Sequence, residues 1–76
     1  MKSIDYTWPL VNTLEWFEKA AEQGDVDAQF NTAMAYESGD GTARDLNKAT
    51  YWYSLAAKQG DRQAKRKLKE LLNRID

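Results

Sequence analysis

The sequence predicts an all-α fold of two stacked helix-turn-helix hairpins, a short α/α solenoid with four helices. The phrase AAEQGD at 20–25 returns as AAKQGD at 56–61, 36 residues later. Seven of fourteen positions are identical between Trp16–Gln29 and Trp52–Lys65, where background composition would give about one. A period in this range is typical of stacked supersecondary units. Apolar residues also recur within each unit at helical spacing.

The shared QGD segment is predicted to be the turn of each hairpin. Gly24 and Gly60 can adopt the left-handed conformation that ends a helix. Asp25 and Asp61 then offer side-chain oxygens to the first amides of the next helix. Each hairpin is therefore expected to contain two helices joined by a very short turn.

The segment SGDGTARD is predicted to connect the two hairpins. Gly39 and Gly41 end one helix, Asp45 caps the next, and Pro9 suits the first turn of the first helix, where its missing amide costs nothing. We therefore expect helices near 10–23, 26–38, 46–59 and 62–75.

The repeat assigns structural roles to small, aromatic and turn-forming residues. Small alanines let two helices approach closely, and the aromatic residues fill the space between hairpins. These structural positions are Trp16, Ala20, Ala21, Gly24, Ala28, Tyr36, Gly39, Gly41, Ala49, Trp52, Tyr53, Ala56, Ala57, Gly60 and Ala64.

The second and fourth helices differ in how many apolar faces they have. The second carries Phe30, Ala33 and Met34 on a face separate from its main stripe, so it is predicted to lie between two neighbours. The fourth has one apolar stripe, formed by Ala64, Leu68, Leu71, Leu72 and Ile75. One apolar side is what a terminal capping helix needs.

The predicted organisation is an N-terminal capping segment at 1–9 followed by repeats at about 10–44 and 45–76. Ile4, Tyr6 and Trp8 are candidates to cover Trp16, which has no preceding hairpin to meet. If they do not cover it, the first helix exposes aromatic surface. Such a surface marks a partner site or self-association, including a homodimer formed through the Trp8/Trp16 end.

Composition argues against catalysis and against cofactor or metal binding. The chain has 76 residues, no cysteine and no histidine, so the usual general base and the strongest nucleophile are missing. The acidic loop with Asp40 and Asp45 lacks the ligand spacing of a calcium loop. We expect no enzyme activity, no cofactor and no metal. We also expect a cytoplasmic location, because no signal peptide or membrane span is evident.

Charge is distributed unevenly along the chain. Residues 1–38 carry two positive and seven negative side chains, net −5, and residues 39–76 carry nine positive and five negative, net +4. This asymmetry could orient a partner or promote head-to-tail contact, or it could reflect solvated faces only. The basic run with Arg62, Lys65, Arg66 and Lys69 could bind phosphates. It lacks interleaved aromatics, so we expect no nucleic-acid binding.

The pattern WFEKAAEQGDVDAQFNTAMAYESGDGTARDLNKATYWYSLAAKQGD resembles the Sel1-like repeat, a relative of the tetratricopeptide repeat. The resemblance covers about residues 13–72. Thr32 and Ala33 depart from the usual Leu-Gly of that family, and Thr42 from its usual Val. The resemblance implies an α/α solenoid that scaffolds protein–protein contacts, commonly in bacteria, with the first helix of each hairpin lining a concave surface.

The third helix carries an apolar pair that the first helix lacks. Tyr51 and Leu55 are four residues apart, and the aligned residues of the first repeat are the polar Glu15 and Lys19. One interpretation is a binding spot; the other is that Tyr51 fills a gap against the long loop. The predicted protein-binding residues are Tyr51, Leu55, Glu15, Glu18, Glu22, Lys58 and Trp8.

The resulting hypothesis is a small protein-interaction module that binds a partner protein through a concave or hydrophobic face. Two narrower alternatives stay open at this point. The chain could be a bacterial immunity protein that neutralises a toxin, or a self-associating structural unit. An adaptor in a signalling complex is equally compatible with the residues.

Overall fold

In this computed structural model the described residues are 13–75, and they form four helices. These are α1 (Thr13–Glu22), α2 (Val26–Ser38), α3 (Leu46–Lys58) and α4 (Arg62–Ile75). The predicted all-α architecture is confirmed within this range. The proposed capping segment 1–9 and the predicted helical residues 10–12 lie outside the described residues. Helices α1 and α3 end one residue earlier than predicted, because Gln23 and Gln59 belong to the turns.

The two QGD turns share one geometry. Gly24 and Gly60 have φ angles of 98° and 99°, a backbone conformation that L side chains rarely adopt. The amides of Asp25 and Asp61 donate to the carbonyls of Ala20 and Ala56, each at 3.2 Å, which satisfies a carbonyl at each helix end. The predicted left-handed glycine turn is therefore confirmed in both hairpins.

Aspartates cap the helices that follow each turn or connection. The Asp25 carboxylate accepts from the Ala28 amide at 3.1 Å, and the Asp45 carboxylate accepts from the amides of Asn47 and Lys48 at 3.0 and 3.1 Å. At the end of α2, Gly39 has a φ of 80°. These contacts confirm the predicted start of α2 and the predicted limits of the connection between hairpins.

Helix α2 lies between α1 and α3, and α4 packs against α3. This arrangement confirms the prediction that α2 lies between two neighbours, but Met34, which was assigned to its second apolar face, is 42% exposed. The core consists of small and aromatic residues contributed by all four helices. Its buried members are Ala21, Ala28, Ala33, Tyr36, Ala49, Trp52, Tyr53, Ala56, Ala64 and Leu71.

Leu72 corrects one prediction about α4. It was assigned to the buried stripe, yet its side chain is 55% exposed, whereas Leu71 is fully buried. Successive helical residues are separated by about 100°, which places Leu72 at the edge of the stripe centred on Ala64 and Leu71. Helix α3 covers the centre of this stripe and leaves its edge in solvent.

Candidate functional site

Tyr51 is the most exposed aromatic residue of α3. Its side chain is 58% exposed, and its ring meets the ring of Trp52 edge-on, with 5.1 Å between centroids and 76° between planes. Trp52 itself is only 8% exposed. A buried tryptophan therefore fixes one side of Tyr51 while most of the phenol remains accessible. Tyr51 is therefore accessible to a partner, as the binding-spot hypothesis requires.

Leu55 occupies a more internal position than Tyr51. It is partly buried and packs against the core cluster, although residues four apart lie on the same face of a helix. Tyr51 thus provides the accessible apolar surface on α3. Leu55 supports that surface from the side of the core.

Three of the four predicted flanking charges are exposed: Glu15, Glu22 and Lys58. Glu18 is different, because its carboxylate accepts a hydrogen bond from the Tyr36 hydroxyl of α2. That hydrogen bond, together with burial and the charges of Glu18 and Asp45, raises the pKa of Tyr36 to about 12. Glu18 therefore joins α1 to α2 and belongs to the hairpin contact.

The first hairpin exposes aromatic residues at positions where the second buries them. Trp16 is 58% exposed and Phe17 is 37% exposed, whereas the aligned Trp52 and Tyr53 are 8% and 0% exposed. Helix α2 contacts Tyr53, and the Phe30 ring meets the Tyr53 ring edge-on at 5.5 Å. Trp8, the remaining predicted binding residue, lies outside the described residues.

Glu37 links three helices and was not singled out in the sequence. Its carboxylate accepts from the Tyr53 hydroxyl of α3 at 2.7 Å and from the Lys67 ammonium of α4 at 3.3 Å, with Arg74 4.0 Å away. Burial alone would raise the pKa of Glu37, but the bonds from Tyr53 and Lys67 and the two nearby cations outweigh it and lower that pKa. The sequence shows the acid Glu37 on α2 and the cations Lys67 and Arg74 on α4, but it does not show that they meet.

A pair of glutamines joins the two hairpins. The Gln59 side-chain amide donates to the Gly24 carbonyl at 2.9 Å and to the Gln29 side-chain oxygen at 3.1 Å. The buried Gln29 in turn donates to the Ala21 carbonyl at 3.1 Å. The sequence shows glutamine at the same repeat position, 23 and 59. The hydrogen bonds of Gln59 could not be predicted from this recurrence, because they require the neighbouring hairpin.

The sequence of the chain matches the model of a known protein family. The Sel1 repeat matches residues 13–25 and 26–61, more than half of the chain. The chain belongs to the Sel1 repeat family. The resemblance inferred from the Trp-aromatic pair, the alanines and the glycine loop is thereby confirmed. No solved structure matches the chain significantly.

Similar proteins come from distant organisms. A chitin synthase regulator, SKT5, of Malassezia restricta is 41% identical over 74% of this chain and 4% of its own length. The uncharacterized protein YibG of Escherichia coli K12 is 40% identical over 83% of the chain and 44% of its length. The DAP3-binding cell death enhancer 1 of Rattus norvegicus is 40% identical over 79% and 12%. The chain thus spans less than half the length of each of these relatives.

The described residues show neither a metal-binding cluster nor a membrane-spanning helix. Within 13–75, no cluster of three or more acidic, histidine or cysteine side chains is placed to hold a metal ion. No helix in the same range combines the length and the apolar composition that crossing a bilayer requires.

Proposed function

We propose that this chain is a non-catalytic protein-interaction module and that it binds a partner protein through the exposed face of α1 and α3. The observation that carries the proposal is Tyr51: a largely exposed aromatic ring, held on one side by the buried Trp52. Rigid aromatic side chains lose little conformational entropy on binding and are common anchors of interfaces. The aligned residue of the first repeat is Glu15.

Charges around Tyr51 supply orientation in this proposal. Glu15 and Glu22 of α1 and Lys58 of α3 are exposed. Opposite charges across an interface mainly fix register and increase the rate of association. Affinity is then expected to depend on Tyr51, and the salt dependence of association on the surrounding charges.

Relatives of the chain support a role in binding without naming its partner. Their printed names describe a regulator of chitin synthase and a DAP3-binding protein, and those descriptions apply to the relatives alone. These two descriptions are compatible with the adaptor hypothesis. None of the relatives named above is described as an immunity protein, so the narrower hypothesis of a bacterial immunity protein gains no support from them.

The test is affinity capture from a lysate of the source organism, followed by binding measurements with the captured protein. Tyr51→Ala is expected to weaken binding at least tenfold, because it removes the anchor and leaves the core intact. Met34→Ala is the matched control: Met34 is also an exposed apolar side chain, 42% exposed, but it lies on α2. Equal loss in both variants, or no loss in Tyr51→Ala, would reject the α1–α3 face.

A further inference from the structure

The repeat makes it possible to compare each end of the described solenoid with its own interior. In the interior, α3 docks on α2 through Tyr53, which meets Phe30, and through Gln59, which donates to Gln29; Ala56, between them in sequence, is fully buried. The aligned residues of α1 are Phe17, Ala20 and Gln23, which we call the α1 face. Phe17 is 37% exposed, whereas Tyr53 is fully buried. The α1 face therefore carries the same kinds of residue as the surface that docks inside the chain.

The opposite end carries the counterpart of the α2 surface that receives α3. Phe30, Ala33 and Tyr36 of α2 align with Arg66, Lys69 and Leu72 of α4. We call these three residues of α4, together with Lys65, the α4 face. All four are exposed, and Leu72 is 55% exposed where Tyr36 is 7% exposed.

The α4 face carries the cations Arg66 and Lys69 at positions where the α2 surface has neutral side chains. The α1 face offers the aromatic ring of Phe17, which can pair with a cation. Inside the chain, Phe30 meets Tyr53 as an edge-on aromatic pair at 5.5 Å. In the equivalent position Arg66 would meet Phe17, an arrangement in which a guanidinium lies against an aromatic ring. The long stems of Lys65 and Lys69 supply apolar surface beside Leu72.

Charge and hydrogen bonding point to the same pairing. The half of the chain containing α1 carries a net charge of −5, and the half containing α4 carries +4, so two copies attract each other in head-to-tail orientation. Gln59 donates to the Gly24 carbonyl at 2.9 Å inside the chain. Gln23 of one copy is placed to donate in the same way to the Gly60 carbonyl of another.

We propose that the α1 face of one copy docks on the α4 face of a second copy, in the geometry with which α3 docks on α2. The contact is heterologous, because it joins two different surfaces, and each added copy presents the same two faces again. It therefore produces open, concentration-dependent oligomers. Neither face includes Tyr51, so this inference goes beyond the proposed function.

The first test is light scattering over a concentration series at low and at high salt. We expect the mass to rise above the 8.7 kDa of one chain as concentration increases, and to rise less at high salt because screening weakens the attraction. A mass that stays at one chain at every concentration overturns the proposal. That result would favour the competing prediction that residues 1–9 cap α1.

Two charge variants then test which faces meet. Phe17→Lys places a cation on the α1 face, and Lys69→Glu removes one from the α4 face; each alone is expected to lower the association constant at least tenfold. Mixed together, they are expected to regain association with 1:1 stoichiometry, because the intact α1 face of one variant meets the intact α4 face of the other, and the two altered faces carry opposite charges. Met34→Ala is the control, because Met34 lies on α2 and belongs to neither face, and it should associate like the parent chain.

The same mixture distinguishes a symmetric dimer from the proposed contact. If copies pair through their α1 ends, as in the Trp8/Trp16 hypothesis, Lys69→Glu associates like the parent chain and the mixture shows no preference for 1:1 pairs. Either result overturns the proposal. Circular dichroism verifies that each variant is folded, and Gln23→Lys, a change at an exposed position, replaces Phe17→Lys if the latter unfolds.

Discussion

Thr32 is a polar residue in the interior of the protein. Its side chain is fully buried, and its hydroxyl has no hydrogen-bond partner among the described residues. A buried hydroxyl without a partner costs about 1–3 kcal/mol of desolvation that nothing offsets. Thr32 also stands where the related repeats usually have leucine, so the sequence already marked it as a departure.

We predict that Thr32→Val stabilises the protein by about 1 kcal/mol, because valine keeps the shape and removes the unpaired hydroxyl. Urea unfolding followed by circular dichroism measures the change. Thr50→Val is the matched control, since the Thr50 hydroxyl donates to the Leu46 carbonyl at 2.8 Å and its removal brings no such gain. A loss of stability in Thr32→Val would contradict the assignment of Thr32 Oγ1 as unpaired.

At the scale of the helices, the two QGD turns share one local geometry but differ in their contacts with the rest of the protein. Both turns have a left-handed glycine, and in both the aspartate accepts from the amide three residues later. Only Gln59 has a hairpin on its upstream side among the described residues, and there its amide bonds the Gly24 carbonyl and Gln29. The contact between hairpins therefore depends on the position of the turn in the array as well as on its sequence.

We predict that Gln59→Ala lowers the free energy of unfolding by about 1–2 kcal/mol, because it leaves the Gln29 oxygen and the Gly24 carbonyl without their donor. Gln23→Ala, the same change in the other repeat, should alter it by less than about 0.5 kcal/mol. Chemical denaturation at a concentration low enough to keep the chain monomeric compares the two. Equal effects would show that the glutamine acts within its own turn.

At the scale of the whole molecule, Glu37 couples both hairpins. It lies on α2 of the first hairpin and bonds Tyr53 and Lys67 on the two helices of the second. These contacts lower its pKa below the ordinary 4.5. Between the lowered folded pKa and 4.5, the unfolded chain binds more protons than the folded chain, so stability rises with pH in that interval.

The contribution of Glu37 is therefore complete at neutral pH and is lost as pH falls through the lowered folded pKa. We predict that Glu37→Gln destabilises the protein by about 1–2 kcal/mol at pH 7, and that the difference from the parent chain shrinks below pH 4.5. Denaturant unfolding at pH 7 and at pH 3 checks both parts. Glu22→Gln, an exposed change on α1, is the control, and a difference independent of pH would exclude an ionic role for Glu37.

The sequence predictions were accurate where the interactions join residues close in sequence and inaccurate where they join distant ones. Gly24, Asp25 and Asp45 act on amides and carbonyls within a few residues, so their spacing was sufficient to place the helix limits. Leu72 was assigned wrongly to the core because helical periodicity gives the direction of a side chain but not the extent of the neighbour that covers it. Glu18 was predicted to be a protein-binding residue, and the sequence alone did not show that it accepts from Tyr36.

The residue pattern was sufficient to predict the four helices, their turns and membership of the Sel1 repeat family, because backbone conformation and helical periodicity are local properties that occur in both repeats. The pattern did not show which copy of each repeated residue is buried, because that depends on the packing of the helices. Trp52 is 8% exposed and Trp16 is 58% exposed, although they are the same residue in the same local pattern. Burial depends on the packing of neighbouring helices, which the local pattern shared by the two tryptophans does not specify.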